Sequence, residues 1–328
     1  QNKMIHSRGS VSLFPFFSKS VVSSNCVEAT RLGRSLYRHR CCLLSSVDRH
    51  RHGFFCTMPS ANAHKRDKAA ATTSTVDDEE IAKFSRMADQ WWDLKGKFAP
   101  LHALNPVRVQ FIAKHLQTWS NRPSSATPLQ GLSVLDIGCG GGILSESLYK
   151  LGGDVLGVDA SAVNIAVANA HLEGQVQATQ VDTPSPAGSL AYKHGTAESL
   201  AADGYVFDCV CALEVVEHVK DPAAFVQLVV SLVKPGGCVF LSTMSRSAQA
   251  LLQTIVVAEY LLGWVPPGTH DFNKYLHPEE LRDLVQHGNS ARVVDVQGLT
   301  YHPLANFWTL DPADTNCNYI MVARRNLN

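Results

Sequence analysis

The stretch Val134-Leu135-Asp136-Ile137-Gly138-Cys139-Gly140-Gly141-Gly142-Ile143-Leu144 limits what this chain can fold into more than any other. An apolar run long enough for a buried strand ends at Asp136, passes through clustered glycines and resumes with helix-spaced Leu144, Leu148 and Leu151. This reads as strand, ligand loop and helix. Glycine suits such a loop because a Cβ would hold a ligand off the backbone and because some turn positions need positive φ. A dinucleotide fingerprint G-x-G-x-x-G/A counted from Gly138 puts Ile143 where a small residue belongs, which disfavours NAD. What stands there is D-x-G-x-G-x-G.

Asp154-Val155-Leu156-Gly157-Val158-Asp159 reads as the next parallel strand, ending in a carboxylate placed to accept ribose hydroxyls. Ser161 then caps a helix carrying Ala162, Ile165, Ala166 and Asn169. Leu190 to His194 is a weak third strand, Tyr205 to Cys211 a fourth, and Asp221-Pro222 starts the following helix. Lys234-Pro235-Gly236-Gly237 is expected to turn the chain into a fifth strand, Cys238 to Ser242. Strands around Arg292 to Val296 and Tyr319 to Ala323 close the chain. Alternating β and α elements predict a doubly wound α/β fold, a mostly parallel seven-stranded Rossmann-like sheet with an antiparallel C-terminal strand.

Residues 1–75 differ in composition: Arg8, Arg31, Arg34, Arg38, Arg40, Arg49 and Arg51 stand among serines with only Glu28, Asp48 and Asp67 as acids. Arg-rich, Ser-rich and acid-poor is the composition of a mitochondrial transit segment, with a disordered basic leader as the alternative. Residues 76–328 form the expected catalytic domain. Acidic Asp77 to Glu80 open a helix whose expected apolar face is Ile81, Phe84, Ala88, Trp91 and Trp92, either a lid over a ligand or packing. Asn105-Pro106 is read as a helix start with Arg108 in its first turn. The dense apolar stretch from Ala248 to Trp264, within a 246–276 insertion, reads as a lid, a membrane-contact helix or a buried helix. Gln175 to Ser189 looks like a surface insertion. The nine cysteines are scattered without paired zinc spacing, and a net charge of zero gives no pull toward nucleic acid.

Past the fourth strand comes Leu213-Glu214-Val215-Val216-Glu217-His218, at the ligand edge of the sheet. On a helical turn Glu214, Glu217 and His218 converge, and two carboxylates with an imidazole suit a divalent cation. Alternatively His218 alone serves as general base. Either device helps a phenol react as phenolate, which otherwise costs roughly 4 kcal/mol at neutral pH for a pKa of ~10.

The glycine stretch resembles motif I of class I S-adenosylmethionine-dependent methyltransferases. With Asn105-Pro106-Val107-Arg108, Cys211 to Val219, Gly268-Thr269-His270-Asp271, Gly298 to Leu304 and Asn318-Tyr319, residues 78 to 328 resemble the mitochondrial ubiquinone-biosynthesis O-methyltransferase family. The resemblance implies methyl transfer from S-adenosylmethionine to phenolic oxygens of a polyprenyl dihydroxybenzoate and a demethylated ubiquinol. It implies cofactor contacts at Arg108, Asp136, Gly138, Gly140, Asp159, Glu198 and Leu213. Glu198 stands at the level of adenine, and Leu213 where many members have Met. It implies catalysis by Glu214, Glu217 and His218, the same three holding a divalent cation, magnesium by expectation. Peripheral attachment to the matrix face of the inner membrane among other ubiquinone-biosynthesis enzymes also follows. Competing readings are a methyltransferase for another small molecule and a noncatalytic scaffold member.

Overall fold

The computed structural model describes residues 74–120, 127–178, 187–251, 271–302 and 307–327. The proposed transit segment, most of the 175–189 insertion, most of the 246–276 stretch, and the Gly268-Thr269-His270 part of its motif lie outside the described residues.

The sheet has eight strands in the order β3-β2-β1-β4-β5-β8-β6-β7. β1 (Ser133–Ile137), β2 (Asp154–Asp159), β3 (Ser189–His194), β4 (Phe207–Leu213) and β5 (Val233–Met244) pair in parallel. β8 (Asn318–Arg325) joins β5 antiparallel, β6 (Ala291–His302) joins β8, and β7 (Phe307–Asp311) closes the edge against β6. Chain order reverses at β1, between β2 and β4, which opens a crevice at the carboxyl ends of β1 and β4.

Strands buried on both faces must be apolar at every position, and here the two faces feed two cores. Leu135, Ile137, Val210 and Ala212 pack with α5 (Ala197–Ala202), α6 (Pro222–Ser231) and α8 (Pro278–Gln286) through Leu200, Phe225 and Leu281. Val134, Cys209, Cys211 and Leu213 pack the other way, on α2 (Ala99–Ser120) and α3 (Ile143–Lys150) through Phe111, Ile112, Leu116 and Leu148. α4 (Ala162–Ala178) lies against β2 and β3, and α7 (Ala248–Ala250) is a single turn after β5. The cysteines of β4 are buried free thiols.

Four local expectations change. α2 begins at Ala99, so Asn105-Pro106 lies inside it, and Asn105 fastens the helix to α3 through Ser147 Oγ at 2.8 Å. Pro106, which gives no N–H, thus stands inside the helix, just after buried Leu104 and Asn105. The acidic helix α1 (Asp78–Ser85) is short; a 3-10 turn at Ala88–Gln90 breaks it before the tryptophans. β5 starts at Val233 and runs through Pro235 and the glycines, with a register shift opposite Phe207 to Cys209 absorbing the turn signal. β7 is an additional strand, and three antiparallel strands rather than one complete the sheet. Among the described residues no helix is long and apolar enough to cross a membrane.

Candidate active site

The glycine loop leaves β1 with Gly138, Gly140 and Gly142 all at positive φ. The amides of Gly138 and Cys139 both donate to Val158 O, folding the loop back on β2. Gly140 N–H donates to Asp159 Oδ2 at 2.9 Å, while Asp159 Oδ1 accepts from Ser161 N at 2.8 Å and Asn164 Nδ2 at 3.2 Å. Burial raises the Asp159 pKa against these donors. The same acid therefore shapes the loop and stands at its ligand side. Asp136 accepts from Ser145 Oγ at 2.6 Å, and burial lifts its pKa to about 6.

Arg108 is buried, with Nη2 donating to Asn105 Oδ1 at 3.3 Å and Nε lacking a hydrogen-bond partner. Burial pulls its pKa down, opposed by the nearby charges of Glu214 and Asp136. A buried guanidinium with an unpartnered donor suits an anionic ligand group.

At the end of β4, Leu213 is buried and Glu214 takes a left-handed φ of 57°. That kink is held by Ser242 at the end of β5. Ser242 O accepts from Glu214 N at 3.0 Å, and Ser242 Oγ donates to Glu214 Oε1 at 2.7 Å. Val216–His218 then form a 3-10 turn. Glu217 is buried; its Oε2 accepts from Thr243 Oγ1 at 2.9 Å and its Oε1 has no partner. Burial pushes the Glu217 pKa up to about 7, with His218 lowering it and Glu214 adding to the rise. His218 Nδ1 meets Glu80 Oε2 at 2.9 Å.

A strap from Thr75 to Phe98 roofs the crevice. Thr75 N and Oγ1 both donate to Glu198 Oε1 at 2.7 Å, and Lys220 N donates to Thr75 O at 2.8 Å. Burial raises the Glu198 pKa, but the bonds from Thr75, its own backbone amide and Thr196 together outweigh it and the net shift is downward. Trp91 donates to Asn164 Oδ1 at 3.0 Å and stacks on Phe98 with ring centroids 3.6 Å apart. Its ring lies against Gly140 and Gly141, where an added Cβ would come within 2.4 and 2.5 Å of it. Trp92 turns away from the cavity and stacks on His171 at 3.4 Å. The two tryptophans thus divide the alternatives: Trp91 covers the ligand site and Trp92 packs behind the loop.

One cavity of about 380 Å³ is lined by all ten expected site residues, Arg108, Asp136, Gly138, Gly140, Asp159, Glu198, Leu213, Glu214, Glu217 and His218. Apolar side chains complete its wall, among them Phe84 and Met87 from the strap and Tyr301 and Trp308 from β6 and β7. Among the described residues no three His, Cys, Asp or Glu side chains are gathered so as to hold an ion. The 3-10 turn and the left-handed Glu214 spread the two carboxylates and the imidazole that a regular helical turn would have brought together. Of the three, the carboxylates of Glu214 and Glu217 are the oxygen donors a hard divalent cation takes, and Glu217 Oε1 is without a hydrogen-bond partner. Glu80, Thr75, Asn164, Ser242 and Thr243 escaped the sequence reading. Ser242 and Thr243 end a strand at the ligand edge, a signal that was available.

A family model described as a methyltransferase domain matches residues 107–290. The ubiquinone biosynthesis O-methyltransferase of Dinoroseobacter shibae is 42% identical over 77% of this chain and 98% of its own length. That of Bartonella quintana is 43% identical over 77% of this chain and 98% of its length. The ubiquinone biosynthesis O-methyltransferase, mitochondrial, of Arabidopsis thaliana is 40% identical over 79% of this chain and 77% of its length.

Proposed function

This chain belongs to the ubiquinone biosynthesis O-methyltransferase family, and from that premise we propose how its cavity carries out the transfer. The activity is S-adenosylmethionine-dependent O-methylation in ubiquinone biosynthesis. The acceptors we assign are phenolic oxygens of polyprenylated precursors, a polyprenyl dihydroxybenzoate and a demethylubiquinol. The observation that carries this assignment is the placement of Glu217 and His218 in the same apolar-walled cavity as the glycine loop.

In this reading the positive-φ backbone at Gly138 and Gly140 lets the cofactor approach the main chain. Asp159 accepts the ribose hydroxyls, Arg108 meets the cofactor carboxylate, Leu213 gives an apolar contact, and Glu198 lies toward adenine. Asp136, in the wall of the same cavity, holds α3 through Ser145 and stands on the cofactor side. His218 takes the phenol proton at Nε2, leaving an oxyanion in line with the sulfonium methyl. The oxygen forms its bond to the methyl carbon as the carbon–sulfur bond breaks, and the thioether leaves neutral. Charge is annihilated in this step, so exclusion of water by Trp91, Phe84 and Phe98 favours it. As the alternative to proton transfer to His218, Glu214, Glu217 and His218 would hold a divalent cation such as magnesium, which when bound supplies Lewis-acid stabilisation of the phenolate.

We assign the protein to the mitochondrion, at the matrix face of the inner membrane beside other ubiquinone-biosynthesis enzymes and membrane lipid. The basic, acid-poor residues 1–75 and the mitochondrial plant relative support this. A reporter carrying residues 1–75 that stays in the cytosol rejects the targeting part.

The decisive assay offers the full chain S-adenosylmethionine and a short-prenyl dihydroxybenzoate, with mass detection of the methylated product. Methylation that stops with chelator and returns with magnesium supports the cation at Glu214, Glu217 and His218. Methylation indifferent to chelator leaves His218 as the base alone. Absence of product, with cofactor binding intact, rejects the phenolic acceptor.

A further inference from the structure

Helix α1 precedes the stretch matched by the methyltransferase family model, yet it is the element that holds His218. We propose that Glu80 is a positioning residue for His218, and that Phe84, one turn further on, completes the hold. The N-terminal strap is then a working part of the active site as well as its roof. The proposal rests on the reading of His218 as the group that meets the phenol.

His218 ends the three-residue 3-10 turn Val216–His218. Two contacts from α1 hold its ring. Glu80 Oε2 lies 2.9 Å from Nδ1, and the Phe84 ring meets the imidazole edge to face, with centroids 4.9 Å apart at 82°. A carboxylate only accepts, so Nδ1 carries a proton and, in the neutral ring, Nε2 carries the lone pair. That is the tautomer needed either for taking a phenol proton or for binding a cation through Nε2.

Glu80 is itself oriented. Lys274 Nζ lies 3.8 Å from Glu80 Oε1 and 3.2 Å from Asp77 Oδ2, and Lys83 Nζ lies 3.7 Å from Glu80 Oε2. The helix is tied down at Thr75 by Glu198 and at Ser85 by Ser161, whose hydroxyls are 2.7 Å apart. Glu80 and Trp91 lie on the same strap, so the segment that covers the glycine loop also orients His218.

The test uses full-length protein with Glu80→Met, which keeps the length and removes the acceptor, together with Glu80→Gln and His218→Ala. Steady-state rates are paired with nitrogen-15 NMR of the imidazoles, the His218 signal being the one lost in His218→Ala. Wild type is expected to show His218 protonated at Nδ1. Glu80→Met is expected to lower kcat about 10-fold or more, as loss of an orienting carboxylate does elsewhere. Its KM for S-adenosylmethionine should stay within about 3-fold, and its His218 should shift toward the Nε2-protonated form. Glu80→Gln, which keeps an acceptor oxygen, should recover that signal and most of kcat. A wild-type His218 protonated at Nε2 overturns the proposal even if Glu80→Met fails to fold. So does a fall in kcat without a change of tautomer, or wild-type kcat in Glu80→Met beside an inactive His218→Ala. A fully active His218→Ala instead removes the reading on which the proposal rests.

Discussion

The indole N–H of Trp92 donates to the carbonyl oxygen of Gly141 at 2.9 Å, tying the strap to the glycine loop from behind. Trp92→Phe keeps a ring on His171 and removes the donor. We expect a loss of about 1 kcal/mol in urea unfolding, the usual worth of one such bond. The loop should also loosen, weakening S-adenosylmethionine binding several-fold by calorimetry. Unchanged affinity would show that the loop holds its shape without Trp92.

Gly140 combines a φ of 54° with an indole ring in the space of its missing side chain. Gly140→Ala should fold, because both cores lie below the loop, and should bind the cofactor about 10-fold or more weakly, since strain of this kind is worth about 1–3 kcal/mol. Adding Trp91→Ala relieves the steric part. The double variant should therefore bind better than the sum of the single losses predicts, a coupling that calorimetry reads directly.

Asp159 accepts three hydrogen bonds, one of them from the Gly140 amide. Asp159→Asn loses the charge and replaces one acceptor oxygen by a donor. We expect at least one bond among Gly140, Ser161 and Asn164 to fail, with a loss of roughly 1–3 kcal/mol for the unsatisfied buried group. Cofactor affinity should fall in parallel. Wild-type affinity with reduced stability would confine Asp159 to shaping the loop.

Glu217 titrates near 7 in the folded protein, raised by burial, against an ordinary value of 4.5. Between those values the folded state binds more protons than the unfolded one, so stability falls as pH rises and levels off above 7. The contribution is present in full below the unfolded pKa and is lost as pH rises through the folded one. Glu217→Gln removes the titration. Urea unfolding at pH 5 and pH 8 should show a smaller drop for the variant than for wild type. Equal drops would place the titration elsewhere.

The sheet was legible because strands buried on both faces leave runs such as Val134 to Ile137 and Cys209 to Leu213, which have few alternative folds. Positions tied to those runs followed: the glycine loop, Asp159 and the Glu214 to His218 segment all sit at strand ends, so reading the strands placed them in one cavity. β7 escaped because Phe307 to Asp311 is a short edge strand, with Phe307 exposed and Trp308 to Asp311 half-buried, and its pairing with Gly298 to His302 is set by tertiary packing on α2. The helix of the strap was overextended because hydrophobic spacing continues through Ala88 and Trp91 while the backbone tightens at Ala88–Gln90. Glu80 was read for its place in a first turn, where an acid suits the helix dipole. Nothing local to Glu80 points to His218, which is 138 residues away in the chain and meets it only through the tertiary fold.

Thr75 fixes a boundary for any shortening of the chain from its N-terminal side. Its amide and hydroxyl both rest on Glu198, and its carbonyl holds Lys220 N. A cut just before Thr75 leaves an ammonium facing that carboxylate, which keeps the clasp and strengthens it. A cut one residue later removes all three bonds and frees the end of the strap. A single residue thus separates a shortened chain with a fastened roof from one that keeps its sheet and loses its clasp.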